Sequence, residues 1–203
     1  MRSVHFLAGL TFAASPLLAQ RPQLGTGPFG LPMGTTLAQL ASFGPTEESD
    51  AKGFYKLRTV PKPHEDFETY IVAVSEKQGL CKIMAIGKDV STSAQGYELR
   101  SAFESLDKIL LEKYGDRKNF DFLNAGSIWD EPKDFMMGLV KKERTLSSYW
   151  DQSQGSHFTD HVNAITLETT ALHSDVGYLQ LRYEFENTKA CLEEIAKKTN
   201  SSL

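Results

Sequence analysis

His157, Asp160 and His161 lie close enough in the chain to suggest a metal site. Two imidazoles four residues apart meet on one face of a helix, where an aspartate can orient them or join them at the ion. The residues just before them, 152–156, are polar and include a glycine, so the stretch reads as a loop ahead of a strand. Helical spacing has no meaning in a loop, and these histidines are expected to be exposed. Two acidic groups, Glu65, Asp66 and Glu68, and Asp130, Glu131 and Asp134, contain the carboxylates a glycosidase needs. The first group edges a strand, however, and the second decorates the start of a helix, where the dipole favours negative charge. The two tryptophans of the chain sit beside acids in a repeated Ser-x-Trp-Asp theme, Ser127 to Asp130 and Ser148 to Asp151. Trp129 and Trp150 are candidates for a recognition surface, because tryptophan concentrates binding energy, with core packing as the commoner role. The sequence has no G-x-S-x-G, P-loop, dinucleotide fingerprint or HExxH, and neither catalytic residue nor cofactor nor metal is expected.

The remaining reactive side chains are Cys81 and Cys191. Their spacing excludes a CxxC redox motif and a cysteine-rich zinc site. Their meaning depends on the compartment. Residues 1–19 read as a signal peptide: Arg2 supplies a short positive start, 4–14 an apolar run, and Ala19 a small residue for cleavage. The run is too short to span a membrane. Residues 20–203 are then a single exported domain, periplasmic or secreted, with no stable membrane insertion after cleavage. In an oxidising compartment two cysteines have one intramolecular pairing, so a Cys81–Cys191 bridge is expected. The formal charge of −4 and sequence pI near 5.8, with no dense Lys/Arg block, argue against a nucleic-acid partner.

The elements that must position these residues follow from periodicity. Thr36 and Gln39 have capping-box spacing ahead of Leu37, Leu40 and Phe43, and Gly44-Pro45 stops that short helix. Residues 47–52 read as a polar loop. Strands are expected over 54–60, 67–74 and 80–86, the last two flanking a Glu76-Lys77-Gln78-Gly79 turn. Phe103, Leu106, Ile109, Leu110 and Tyr114 mark a helix with a capping box at Ser101 and Glu104 and a stop at Gly115. A second helix starts near Asp130 with Pro132 in its first turn. Strands return over 144–150, 162–172 and 178–185, and 187–198 closes the chain as a helix with Cys191, Leu192 and Ile195 on one face. The order predicts an α+β fold, an antiparallel sheet packed by helices, with two similar helix, three strands, helix halves at 34–115 and 128–198 as a possible organisation.

The stretch from Gly34 to Pro45, GTTLAQLASFGP, resembles the short opening helix of envelope modules such as the outer-membrane assembly lipoprotein BamE, and related αβ repeats occur in β-lactamase inhibitor proteins. The lipid-anchor cysteine of the lipoproteins has no counterpart here. The resemblance implies helices against an antiparallel sheet and protein binding without catalysis. The expected function is therefore a non-catalytic periplasmic or secreted binding protein whose partner is another envelope or exported protein. A hydrolase of cell-wall or sugar polymers acting through acidic residues is the alternative.

Overall fold

A computed structural model describes residues 25–200, so the expected leader and its cleavage point after Ala19 lie outside the described residues. A loop containing the 3-10 turn Pro28–Gly30 leads into α1 (Leu37–Ala41), then β1 (Thr46–Glu48), β2 (Phe54–Leu57), β3 (Phe67–Ser75), β4 (Gly79–Gly87), the short β5 (Val90–Ser91) and α2 (Tyr97–Tyr114). There follow β6 (Lys118–Leu123), a 3-10 turn at Pro132–Asp134 running into α3 (Phe135–Val140), β7 (Arg144–Asp151), β8 (Val162–His173), β9 (Val176–Phe185) and α4 (Thr188–Asn200). The strands form one antiparallel sheet in the order β1-β2-β3-β4-β9-β8-β7-β6, with β5 against β9. The fold is α+β.

Local chemistry explains most boundaries. The Thr36 hydroxyl accepts from the Gln39 N–H at 3.3 Å while the Gln39 side chain accepts from the Thr36 N–H at 2.9 Å, the reciprocal cap expected for α1. The Glu76–Gly79 segment turns β3 into β4, which pair along their length. Three expectations need correction. β1 forms where a polar loop is expected, because Thr46, Glu47 and Glu48 pair with β2 through the backbone and need bury little. β6 is a further strand that the apolar count passes over, since its residues are nearly all exposed. Helix α2 starts a turn before Ser101, behind Gly96, and it is the Glu98 carboxylate that accepts from the Thr92 hydroxyl at 2.7 Å and the Ser93 N–H at 3.0 Å. Gly96 is left-handed at φ 70°, and a Cβ there would lie 2.4 Å from the Phe135 ring.

Each half is therefore a four-strand meander, β1 to β4 and β6 to β9, and the two meet where β4 pairs with β9. Each closing helix covers strands of the other half: α2 packs on β8 and β9, and α4 on β3 and β4. The halves consequently share one core. On the main face of the sheet, Tyr70, Val72, Ile83, Leu181, Tyr183, Ile165 and Leu167 are buried under α1, α2, α3 and the loop before α1. From that loop Phe29, itself left-handed at φ 55°, sets its ring edge-on against Phe67, Tyr70 and Tyr183.

Helix α4 lies on the opposite side, and a register shift turns Cys81 to meet it. Ala73 pairs with Lys82 but Val74 pairs with Leu80, which leaves Cys81 as the extra residue of a bulge. The bulge turns Cys81 away from the main face, where its neighbours Leu80 and Ile83 are buried, and into a small cluster with Ala73, Cys191, Phe54, Leu192 and Ile195. There Cys81 and Cys191 form the expected disulfide, with Cα atoms 6.3 Å apart. The Thr188 hydroxyl donates to the Cys81 carbonyl at 2.6 Å, and the Asn187 amide to the carbonyls of Gln78 and Leu80, so the start of α4 is anchored to β4 as well. Among the described residues no helix is long and apolar enough to cross a membrane.

Candidate functional site: an open sheet face

Strand alternation divides the side chains of β6 to β9 between two faces. One set, including Leu146, Trp150, Leu167 and Leu181, is buried on the main side. The other set lies on the reverse side: Phe120 and Phe122 on β6, Ser147 and Tyr149 on β7, Thr166 and Glu168 on β8, and Gln180 and Arg182 on β9, joined by the pairings Phe120↔Ser147, Tyr149↔Thr166, Thr166↔Arg182 and Glu168↔Gln180. Among the described residues α4 is the only helix on that side, and it covers β3 and β4. The reverse face of β6 to β9 is thus open. Phe120 is 38% and Phe122 is 47% exposed.

The charges on this face neutralise one another across strands. Lys82 of β4 bonds Glu184 of β9 at 2.7 Å, and Glu168 of β8 accepts from Gln180 at 2.8 Å and from Arg182 at 3.0 Å. At the sheet margin, burial and then Asp151 push the Tyr149 phenol above its ordinary range, while a hydrogen bond from Ser153 holds the Asp151 carboxyl below its own. A face of aromatic rings and pre-paired ions is suited to docking a surface of mixed character.

Among the described residues, cavities adjoin the sheet at two places. The β7–β8 ladder stops at Ser147↔Glu168, while residues 144–146 stay with β6 and 169–173 stay with β9, so the sheet forks. A cavity of about 310 Å³ occupies the fork, bordered by Leu139 and Val140 of α3, with the Thr169 hydroxyl bridging to the Leu146 carbonyl at 3.1 Å. A second cavity, of about 220 Å³, lies between α1, the β1–β2 turn and α4, with Leu37, Tyr55, Val74 and Ile195 as apolar walls and Glu48, Glu76 and Glu194 at its rim. These acids already have structural partners. Glu194 accepts from the Ser75 hydroxyl at 2.9 Å and the Lys77 N–H at 3.1 Å, and Lys198 bonds Glu76 at 2.5 Å. That bond holds the Glu76 carboxyl below the usual range and the Lys198 amine above its own.

The residues singled out in the sequence disperse. His157 is exposed, and its N–H donates to the Tyr114 carbonyl at 2.7 Å. Asp160 and His161 are both left-handed, at φ 58° and 61°, so the stretch is a loop, and His161 lies 3.1 Å from Glu186. Among the described residues no group of three or more His, Cys, Asp or Glu side chains could hold a metal. Glu65, Asp66 and Glu68 are exposed in and beside a turn, and Asp130, Glu131 and Asp134 precede α3; neither group borders the two cavities. Trp150 is 0% exposed, its indole N–H donating to the Gly115 carbonyl at 3.0 Å, which removes it from any recognition surface. Trp129 is half-buried beside Gly138 of α3. The face that the structure does open rests on β6, whose alternation of Asn119 and Asp121 with Phe120 and Phe122 is a period-two signal present in the sequence. Comparisons of the chain with protein families, curated proteins and solved structures found no match.

Proposed function

We propose that this is an exported, non-catalytic interaction protein that binds another envelope or exported protein on the reverse face of β6 to β9. The observation that carries the reading is the asymmetry of the sheet: its main face is sealed by three helices and a loop, while the reverse face leaves Phe120 and Phe122 exposed and Tyr149 half-buried. Antiparallel sheets tolerate one solvated face, but that face ordinarily alternates to polar residues. Exposed rings framed by paired ions fit a protein partner that offers apolar side chains within a polar rim. The Cys81–Cys191 bond and the leader-like residues 1–19 support an oxidising compartment.

Photocrosslinking tests this reading. A photoreactive residue at Thr166, on the open face, should trap one defined partner from envelope extract or medium, and Phe122→Asp should abolish the adduct. A residue of the same kind at Tyr97, exposed on α2, should not trap it. Equal adducts from both positions, or none from Thr166, would overturn the proposal.

A further inference from the structure

We propose that β6 is also a self-association edge, on which a second copy of this chain adds its own β6 antiparallel so that two nine-stranded sheets become one. The inference goes beyond the partner-binding reading and can fail independently of it, because its test contains no other protein.

Among the described residues β6 pairs with β7 alone, so one side of its backbone has no strand partner there. The Asn124 N–H donates to the Glu143 carbonyl of the adjoining β7 end at 2.7 Å, which fixes the parity of the ladder. Even-numbered residues of β6 direct their N–H and C=O groups to β7, and Asn119, Asp121 and Leu123 direct theirs to the free edge. The other edge of the sheet, β1, is three residues long and carries Glu47 and Glu48, the shortness and charge that keep an edge from pairing. β6 is six residues long, with no proline and no bulge. Its Asp121 pairs with Arg144 at 3.1 Å and Arg100 at 3.6 Å on the main face and so does not point an unpaired charge across the edge.

Charge complementarity selects the register. A two-fold axis normal to the sheet must set outward-directed residues opposite one another; Asp121 opposite Leu123 aligns only residues 121–123 of each strand, which leaves three other choices. Asp121 opposite Asp121 brings like charges together, which is unfavourable. Asn119 opposite Asn119 aligns little more than residues 118–120 of each strand. Asn119 opposite Asp121 aligns residues 118–122 of both strands, gives each carboxylate an amide neighbour, sets Phe120 on Phe120 and lays Lys118 beside Phe122. The four exposed rings of the two copies then form one patch on the reverse face. Phe120 occupies the site between hydrogen-bonded pairs, where side chains approach most closely.

Sedimentation equilibrium on the purified mature chain, with no partner added, should report a dimer at tens of micromolar. Asn119→Pro removes an outward N–H while keeping the β7 ladder, and Phe120→Asp sets two carboxylates face to face; both should be monomeric with unchanged circular dichroism. Because either variant could disturb the fold, Phe120→Cys gives an independent readout: under mild oxidation it should form an inter-chain disulfide, and Ile128→Cys, exposed elsewhere, should not. A monomeric wild-type chain across this range, a dimeric Asn119→Pro, or equal crosslinking from residues 120 and 128 would each overturn the proposal.

Discussion

Cys81 and Cys191 are 110 residues apart in the chain and bonded on the reverse side of the sheet, because a one-residue bulge in β4 turns Cys81 out of the main core. The bond fastens the last helix to the first hairpin and so locks together two halves whose closing helices already cross over one another's strands. A link across so long a loop restricts the unfolded chain by about 4–5 kcal/mol in the chain-entropy model. Reduction should therefore lower the denaturant midpoint. Cys81→Ala and Cys191→Ala should lose nearly equal stability, and the double variant little more, since either single change removes the link. A reduced chain with an unchanged midpoint would exclude the bond as a stabilising element.

Asp107 is the most heavily used polar group in the interior. It is buried on α2, paired with Arg117, and accepts from the Ser148 hydroxyl of β7 at 2.5 Å; Ser148 in turn accepts from Asn119 of β6 at 3.1 Å. Asp107→Ala strands the guanidinium and the hydroxyl together and should cost about 2–4 kcal/mol in urea unfolding. Ser148→Ala removes one donor and should cost about 1 kcal/mol. Equal losses from the two variants would contradict the assignment of Asp107 as the hub.

Two left-handed glycines offer a comparison of strain with crowding. Gly79, at φ 63°, would place a Cβ 2.2 Å from the Gly34 carbonyl oxygen, whereas Gly126, at φ 84°, would meet nothing within 4 Å. Gly126→Ala should cost only the left-handed penalty, about 1–2 kcal/mol. Gly79→Ala should cost clearly more, because backbone must move. Thermal melts of the pair check this, and a smaller loss at Gly79 would place the β4 entry elsewhere.

Burial raises the phenols of Tyr55, Tyr70, Tyr149 and Tyr183, most strongly Tyr183, whose ionisation the neighbouring Tyr114 opposes further. A raised folded value means that the stabilisation is complete below the unfolded value near 10 and is lost as pH climbs toward the folded one. Stability should therefore fall on the alkaline side of pH 10, and the 295 nm titration should show a late phase that jumps as the chain unfolds. Tyr183→Phe should flatten that alkaline fall. A variant as pH-sensitive as the wild type would rule out Tyr183 as its main source.

Much of the architecture is local and therefore legible in the residues. The Thr36–Gln39 cap, the β3–β4 hairpin, the strict alternation of β9 and the amphipathic stripe of α4 each follow from contacts within a few residues, and the order of those elements pointed to an α+β fold. The pairing of Cys81 with Cys191 was also within reach, because two cysteines leave a single choice. Tertiary structure decided what depends on partners distant in the chain. β1 carries no apolar signal, since a neighbouring strand and not a core holds it in place, and the alternation in β6 does not show that its rings face outward. Trp150 and Trp129 share a motif, yet one is sealed against Gly115 and the other rests on α3, because burial belongs to the position in the sheet and not to the residue type. The face that Cys81 takes turns on one extra residue in β4: side chains alternate with period two, so a single-residue shift carries Cys81 to the side where α4 lies, and only the paired strand reveals where that shift occurs.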